Sequence, residues 1–127
     1  MSLRDEILGR QDLPVEVVKV PEWSMDVRVR ALSGTQRDAY EASCMKRGGP
    51  KGAMEMSFEN IRARLVSQCV VDEAGARVFT DADVAALGAK NAVALNRLFE
   101  VAQRLSGLRN EDFEELLGNS GGAPAES

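Results

Sequence analysis

The stretch Met25-Asp26-Val27-Arg28-Val29-Arg30 limits the fold most, because it alternates strictly between apolar and charged residues. That period of two places Met25, Val27 and Val29 on one side of an extended chain and Asp26, Arg28 and Arg30 on the other. Just before it, Pro14-Val15-Glu16-Val17-Val18-Lys19-Val20 is β-branched and partly alternating, and Pro21-Glu22-Trp23-Ser24 links the two runs. Together they predict a β-hairpin with one dry face. A two-stranded sheet is barely stable in water, so that face must lie on a helix or on another chain.

The rest of the chain supplies helices. Ser33-Gly34-Thr35-Gln36 has capping-box spacing, in which the serine hydroxyl and the glutamine side chain exchange bonds with each other's backbone amides. The helix it opens is expected to run to Lys46, with Ala39, Tyr40, Cys44 and Met45 inward. Arg47-Gly48-Gly49-Pro50-Lys51-Gly52 then predicts a flexible loop. Phe58, Ile61, Leu65 and Cys69 recur at helical spacing beside Val66, which leaves Arg62, Arg64 and Gln68 outside. Asp72-Glu73-Ala74-Gly75 reads as a tight turn between the apolar arms Val70-Val71 and Val78-Phe79, with Gly75 at positive φ. Thr80-Asp81-Ala82-Asp83 should start a helix that places Val84 and Leu87 inward and stops at Gly88. From Ala92 to Leu105, Leu95, Leu98, Phe99, Ala102 and Leu105 follow the i, i+3, i+4, i+7 rule, with Gly107 as the cap. Asn110 caps a short acidic helix, Glu111 to Leu117, whose apolar residues are Phe113, Leu116 and Leu117.

The expected architecture is α+β and mainly helical. An N-terminal β-hairpin packs on a bundle of about four helices, and a short second hairpin lies near residues 70–79. Residues 1–12 form an N-terminal arm, 13–117 a single globular domain and 118–127 (GNSGGAPAES) a disordered Gly/Ser tail.

Composition excludes more chemistry than it suggests. The 127 residues contain no histidine, which removes the commonest general base and transition-metal ligand. The acids Asp72, Glu73, Asp81, Asp83, Glu114 and Glu115 sit at turns and helix starts, where capping explains them better than a metal or a glycosidase pair. Neither Cys44 nor Cys69 has the CxxC spacing, and both read as free buried thiols. Ser33 has no GxSxG elbow, and the Gly/Lys loop near residue 50 is not a phosphate loop. No catalytic, cofactor-binding or metal-binding residue is expected. A net charge of −4 argues against nucleic acid, and no apolar run reaches the roughly 18 residues of a membrane span. Trp23 and Met25 at the hairpin, with Met45, Met54 and Met56 around the loop, are the candidate partner-binding residues. Thioethers and a lone indole suit an adaptable apolar contact, although each also has a plain packing role.

In order, VPEW (Val20 to Trp23), VRVRALSGTQRDAYEAS (Val27 to Ser43), NIRARLVSQCVVDEAGARVFTDADVAALGAK (Asn60 to Lys90) and ALNRLFEVAQRLSGL (Ala94 to Leu108) resemble the tail assembly chaperones of long-tailed bacteriophages and prophages. The resemblance spans most of residues 14–117 and omits the Gly/Lys loop and the tail. It implies a non-enzymatic protein that binds the long helical tape-measure protein and helps recruit tail-tube subunits. It further implies action in the cytoplasm of the bacterial host and absence from the mature virion. A homo-oligomer is compatible with it. The competing expectation is a small soluble protein-interaction or regulatory domain with no chaperone role.

Overall fold

The structure is a computed structural model and describes residues 2–47 and 54–108. The glycine-rich loop beyond Arg47, the acidic helix expected at 111–117 and the tail at 118–127 lie outside the described residues. The order of elements is α1 (Leu3–Leu8), β1 (Val15–Val20), β2 (Met25–Arg30), α2 (Gly34–Ser43), β3 (Met45–Arg47), β4 (Met54–Met56), α3 (Ile61–Cys69), β5 (Val70–Val71), α4 (Val84–Gly88) and α5 (Ala92–Leu105). The fold is α+β and mainly helical.

β1 and β2 form the expected antiparallel hairpin, with Val18 opposite Val27 and Val20 opposite Met25. Its dry face carries Val18, Val20, Val27 and Val29, all buried in the core. The sheet has a third strand: β5 pairs antiparallel with β2, Val70 opposite Val29 and Val71 opposite Arg28, giving the order β1-β2-β5. The turn after β5 comes back on itself through the bridge Val71↔Arg77. Asp72 Oδ1 accepts from the amides of Ala74 and Ala76, both at 2.9 Å, and Gly75 takes φ 87°. An L-residue resists that left-handed conformation, so the turn needs its glycine.

The capping box at Ser33 is present, with Gln36 N donating to Ser33 Oγ and Ser33 N to Gln36 Oε1. The helix it starts ends at Ser43 rather than Lys46. Two of the carbonyls at its end are taken from outside: Ser43 O accepts from the Arg64 guanidinium, and Cys44 O accepts from Ser57 N at 2.6 Å. With those acceptors occupied the chain extends, and Met45–Arg47 pairs with Met54–Met56 as a second sheet. Tyr40 and Cys44 are buried as expected, whereas Ala39 is exposed.

α3 departs most from its sequence pattern. Asn60 precedes it at φ 54°, and this left-handed residue breaks the row that begins at Phe58. Phe58 is therefore 51% exposed, while Ala63, Leu65, Val66, Ser67, Gln68 and Cys69 are all buried. Gln68, expected outside, is covered by α2: Gln36 Nε2 donates to its main-chain oxygen at 2.8 Å. Arg64 is half-buried and reaches backward. Its guanidinium donates to the carbonyls of Ser43, Ser57 (2.9 Å), Glu59 and Asn60 (3.4 Å), so one side chain joins the end of α2 to the segment that leads into α3.

α5 occupies the residues that its periodicity predicts. Asn91 Oδ1 accepts from Ala94 N at 2.9 Å, and the helix closes with Leu108 N to Gln103 O and Gly107 N to Arg104 O, the Schellman pair. Ala94, Leu95, Leu98 and Ala102 face α3 and the hairpin from the core. α4 is preceded by a 3-10 turn, Asp81–Asp83, in which Asp83 Oδ2 accepts from Thr80 N at 2.8 Å. Gly88 ends α4 against the start of α3. A Cβ there would lie 2.3 Å from Asn60 Oδ1, so only glycine fits without displacing that side chain.

Leu98 is 1% exposed at the centre of this packing. Leu98→Ala should cost about 2–5 kcal/mol in denaturant unfolding, through lost transfer energy and the cavity left behind. Val93→Ala, at a position 61% exposed on the same helix, should change stability by less than about 0.5 kcal/mol.

Candidate functional site: an apolar groove at the hairpin tip

The link between β1 and β2 is a 3-10 turn, Pro21–Trp23, closed by Ser24 N donating to Pro21 O at 3.1 Å with Ser24 at φ 54°. This turn puts Trp23 and Met25 on the side of the hairpin facing the residues that follow β5. The tip is tethered to α5: Arg97 Nη1 and Nη2 donate to Glu22 Oε1 and Oε2 at 2.5 and 3.1 Å. A bidentate guanidinium–carboxylate pair fixes orientation as well as distance. Arg97's hydrogen bonds hold the Glu22 carboxyl below the usual carboxylate range, and the same bonds raise Arg97. A second pair, Arg104 to Glu16 at 2.8 Å, ties α5 to β1 nearer the open end of the hairpin.

The opposite wall comes from the segment after the 72–75 turn. Arg77 holds this segment by donating from Nε and Nη2 to Ser67 O at 3.2 and 3.0 Å, while Val78 N donates to Val70 O. Val78 and Phe79 then stand beside α4, which adds Ala86 and Leu87. The result is an open groove of about 520 Å³ lined by Trp23, Met25, Val78, Phe79, Ala86 and Leu87, with one charge of each sign from Asp83 and Lys90. Met25 is 56% and Val78 51% exposed, whereas Trp23 and Phe79 are half-buried and pack on the core. Trp23 thus has both roles open to it from sequence: it anchors the hairpin tip and presents part of its ring to the groove.

Of the five candidate partner residues, Trp23 and Met25 line this groove together, and Met45, Met54 and Met56 share the β3–β4 ladder. Met45 lies on β3 and is half-buried; its Cα partner is Met56, and Met54 lies opposite Arg47 on the same ladder. Val78 and Phe79 were legible only as a strand arm, because nothing local says that they stand next to Trp23, some 55 residues earlier in the chain. Their partial signal is an apolar pair beside a turn.

The ionisable residues that line the groove are Asp83 and Lys90. Among the described residues no group of three or more Cys, Asp or Glu side chains is placed to hold a metal ion. Cys44 and Cys69 are free and buried. Burial raises the Cys44 thiol above its ordinary range and pushes Cys69 up to about 12, so both are protonated at neutral pH. Burial likewise raises the Tyr40 hydroxyl, which donates to Ile61 O at 3.3 Å. Among the described residues no helix is long and apolar enough to cross a membrane.

A small α+β domain with a solvent-facing apolar groove is the class that these features define. The chain belongs to the phage tail assembly chaperone family, whose model matches residues 4–117. The fold is similar to that of the bacteriophage HK97 tail assembly chaperone, with a TM-score of 0.53 at 16% identity, over 80% of this chain and 95% of that one. No curated protein sequence matches the chain significantly.

Two outcomes follow for the tether and the thiols. Glu22 has a depressed folded pKa, so its clamp on Arg97 stabilises the protein above the unfolded carboxylate pKa and is lost as pH falls through the lower folded value. Melting curves of wild type and Glu22→Gln should therefore differ at neutral pH and converge in acid. Both cysteines should resist a thiol reagent at pH 8 in the native state and react fully once the chain is unfolded.

Proposed function

We propose that this chaperone binds the tape-measure protein through the groove at the hairpin tip. Trp23 and Met25, joined by Val78 and Phe79, cover an apolar stripe of that long helical partner until assembly buries it. Met45, Met54 and Met56 make a second, adaptable contact from the β3–β4 ladder. By keeping the tape measure unaggregated the protein also helps recruit tail-tube subunits around it. It acts without enzymatic chemistry in the cytoplasm of the bacterial host and is absent from the mature virion.

The observation that carries this reading is the groove itself. Large apolar side chains that a monomer could have buried are left half in water beside the only tryptophan, on a frame held by a bidentate ion pair. Exposed apolar patches of this sort are characteristic of helix-in-groove recognition. The free side of β1, at the edge of the three-stranded sheet, could add an extended segment by backbone pairing.

Co-expression with the tape-measure protein of the same phage tests the proposal. The soluble yield of the tape measure should rise with wild type and fall back with Met25→Glu and Val78→Glu, both at exposed positions and each first checked for a wild-type circular dichroism spectrum. No rise with wild type, or an equal rise with the charged variants, would count against it.

A further inference from the structure

A second groove, of about 630 Å³, lies between the start of α3 and the start of α5. Ile61 and Leu95 belong to its apolar lining, and Phe58 and Val93 stand beside them 51% and 61% exposed. Among the described residues the charged ones in this lining are both basic, Arg62 and Lys90. Arg62 is held in place, donating from Nε to Asn96 Oδ1 at 2.9 Å and sitting 5.5 Å from the centre of the Phe99 ring. Glu59 and Glu100, the acids nearest in sequence, stay out of the lining, and Glu100 accepts from Asn96 Nδ2 at 3.2 Å. In a chain of net charge −4, an apolar groove lined by two cations calls for an occupant that is both apolar and acidic.

One segment of the chain has that composition and is tied close by. Residues 110–117, Asn-Glu-Asp-Phe-Glu-Glu-Leu-Leu, set Phe113, Leu116 and Leu117 among four acids and no base. They follow Leu108, which is buried and fixed at the end of α5 by its bond to Gln103 O. On α5 the groove runs from Val93 to Asn96, about 14–22 Å back from that end by helical rise. Fully extended, residues 109–117 reach about 30 Å. Coiled from Glu111 onward, as the asparagine cap expects, they reach about 19 Å, about 10 Å of link and about 9 Å of rise. Leu117 thus reaches the groove of its own chain in either form. The groove at the hairpin tip is the poorer match, because Asp83 lines it beside Lys90. Another copy would have to compete with a tether that holds the segment at an effective concentration on the order of millimolar.

We infer that residues 110–117 fold back on their own chain as a strap over the groove between the starts of α3 and α5. Phe113, Leu116 and Leu117 cover Ile61, Val93 and Leu95, and the acids face Arg62 and Lys90. The strap takes exposed apolar surface at Phe58 and Val93 out of water within a single molecule. It uses neither Trp23 nor Met25, and its failure would leave the tape-measure proposal standing.

Amide NMR spectra of the full chain test it with two variants, each first checked for a wild-type thermal transition. Phe113→Glu spoils the strap and keeps the groove; Val93→Glu spoils the groove and keeps the strap. Phe113→Glu should move the amide signals of Phe58 to Arg62 and of Lys90 to Asn96, and leave those of Trp23 and Met25 in place. Val93→Glu should move the signals of Phe113, Leu116 and Leu117 and speed their hydrogen exchange about ten-fold, a loss of about 1.4 kcal/mol. Wild-type signals at both places should stay fixed on dilution, because the contact lies within one chain. Groove signals indifferent to Phe113→Glu, strap signals indifferent to Val93→Glu, or wild-type signals that move on dilution, the mark of a second copy, would each overturn the inference.

Discussion

Packing of α3 on α5 is the interaction on which the rest of the structure depends. Ala63, Leu65 and Val66 on one helix and Ala94 and Ala102 on the other have no exposed surface, and Leu98 has almost none. Alanines at the contact let the two backbones approach closely, while the leucines and valine fill the space above and below. The dry face of the hairpin needs such a platform, since β1 and β2 alone could not bury Val18, Val20, Val27 and Val29. α4 is drawn onto the same platform, and the absence of a side chain at Gly88 is what allows it to come so near Asn60.

Around that centre the polar groups act as ties between elements. Arg64 takes up carbonyls from the end of α2 and from the segment before α3. Gln36 links α2 to α3, Arg77 links the post-turn segment to α3, Arg30 donates to Gly75 O across the sheet, and Arg97 clamps the hairpin tip to α5. All but the Arg97–Glu22 pair end on backbone acceptors that a small domain would otherwise leave open. The frame so fixed leaves apolar residues at its margin: Trp23, Met25, Val78 and Phe79 on one side of Lys90, and Phe58 and Val93 on the other. A tail assembly chaperone has use for such surface, because its work is to cover what another protein cannot yet bury.

The sequence makes some of this legible and hides the rest for physical reasons. The alternation in Met25–Arg30 and the stripe of α5 are clear, because each element has one wet and one dry face and the period records it. α3 is buried around most of its perimeter, so its pattern loses contrast: Gln68 and Ser67 are inside through hydrogen bonds, and Arg64 turns back along the surface. The third strand is two residues long and joins β2 from some 40 residues away, a pairing with no local signature. The strand character of Met45–Arg47 depends likewise on Met54–Met56 and on the acceptors that stop α2 at Ser43. The groove was half legible. Trp23 and Met25 stand out as apolar residues at a hairpin tip, but their neighbours Val78, Phe79 and Leu87 arrive only through the tertiary fold.

In the proposed complex an apolar helix of the tape-measure protein lies against Trp23. Since the chain has a single tryptophan, its emission reports on that groove alone. Titrating the protein with a tryptophan-free tape-measure segment should give a saturable blue shift as the half-buried indole loses its remaining water, and Met25→Glu should abolish it. Binding of the segment with no change in Trp23 emission would contradict the claim.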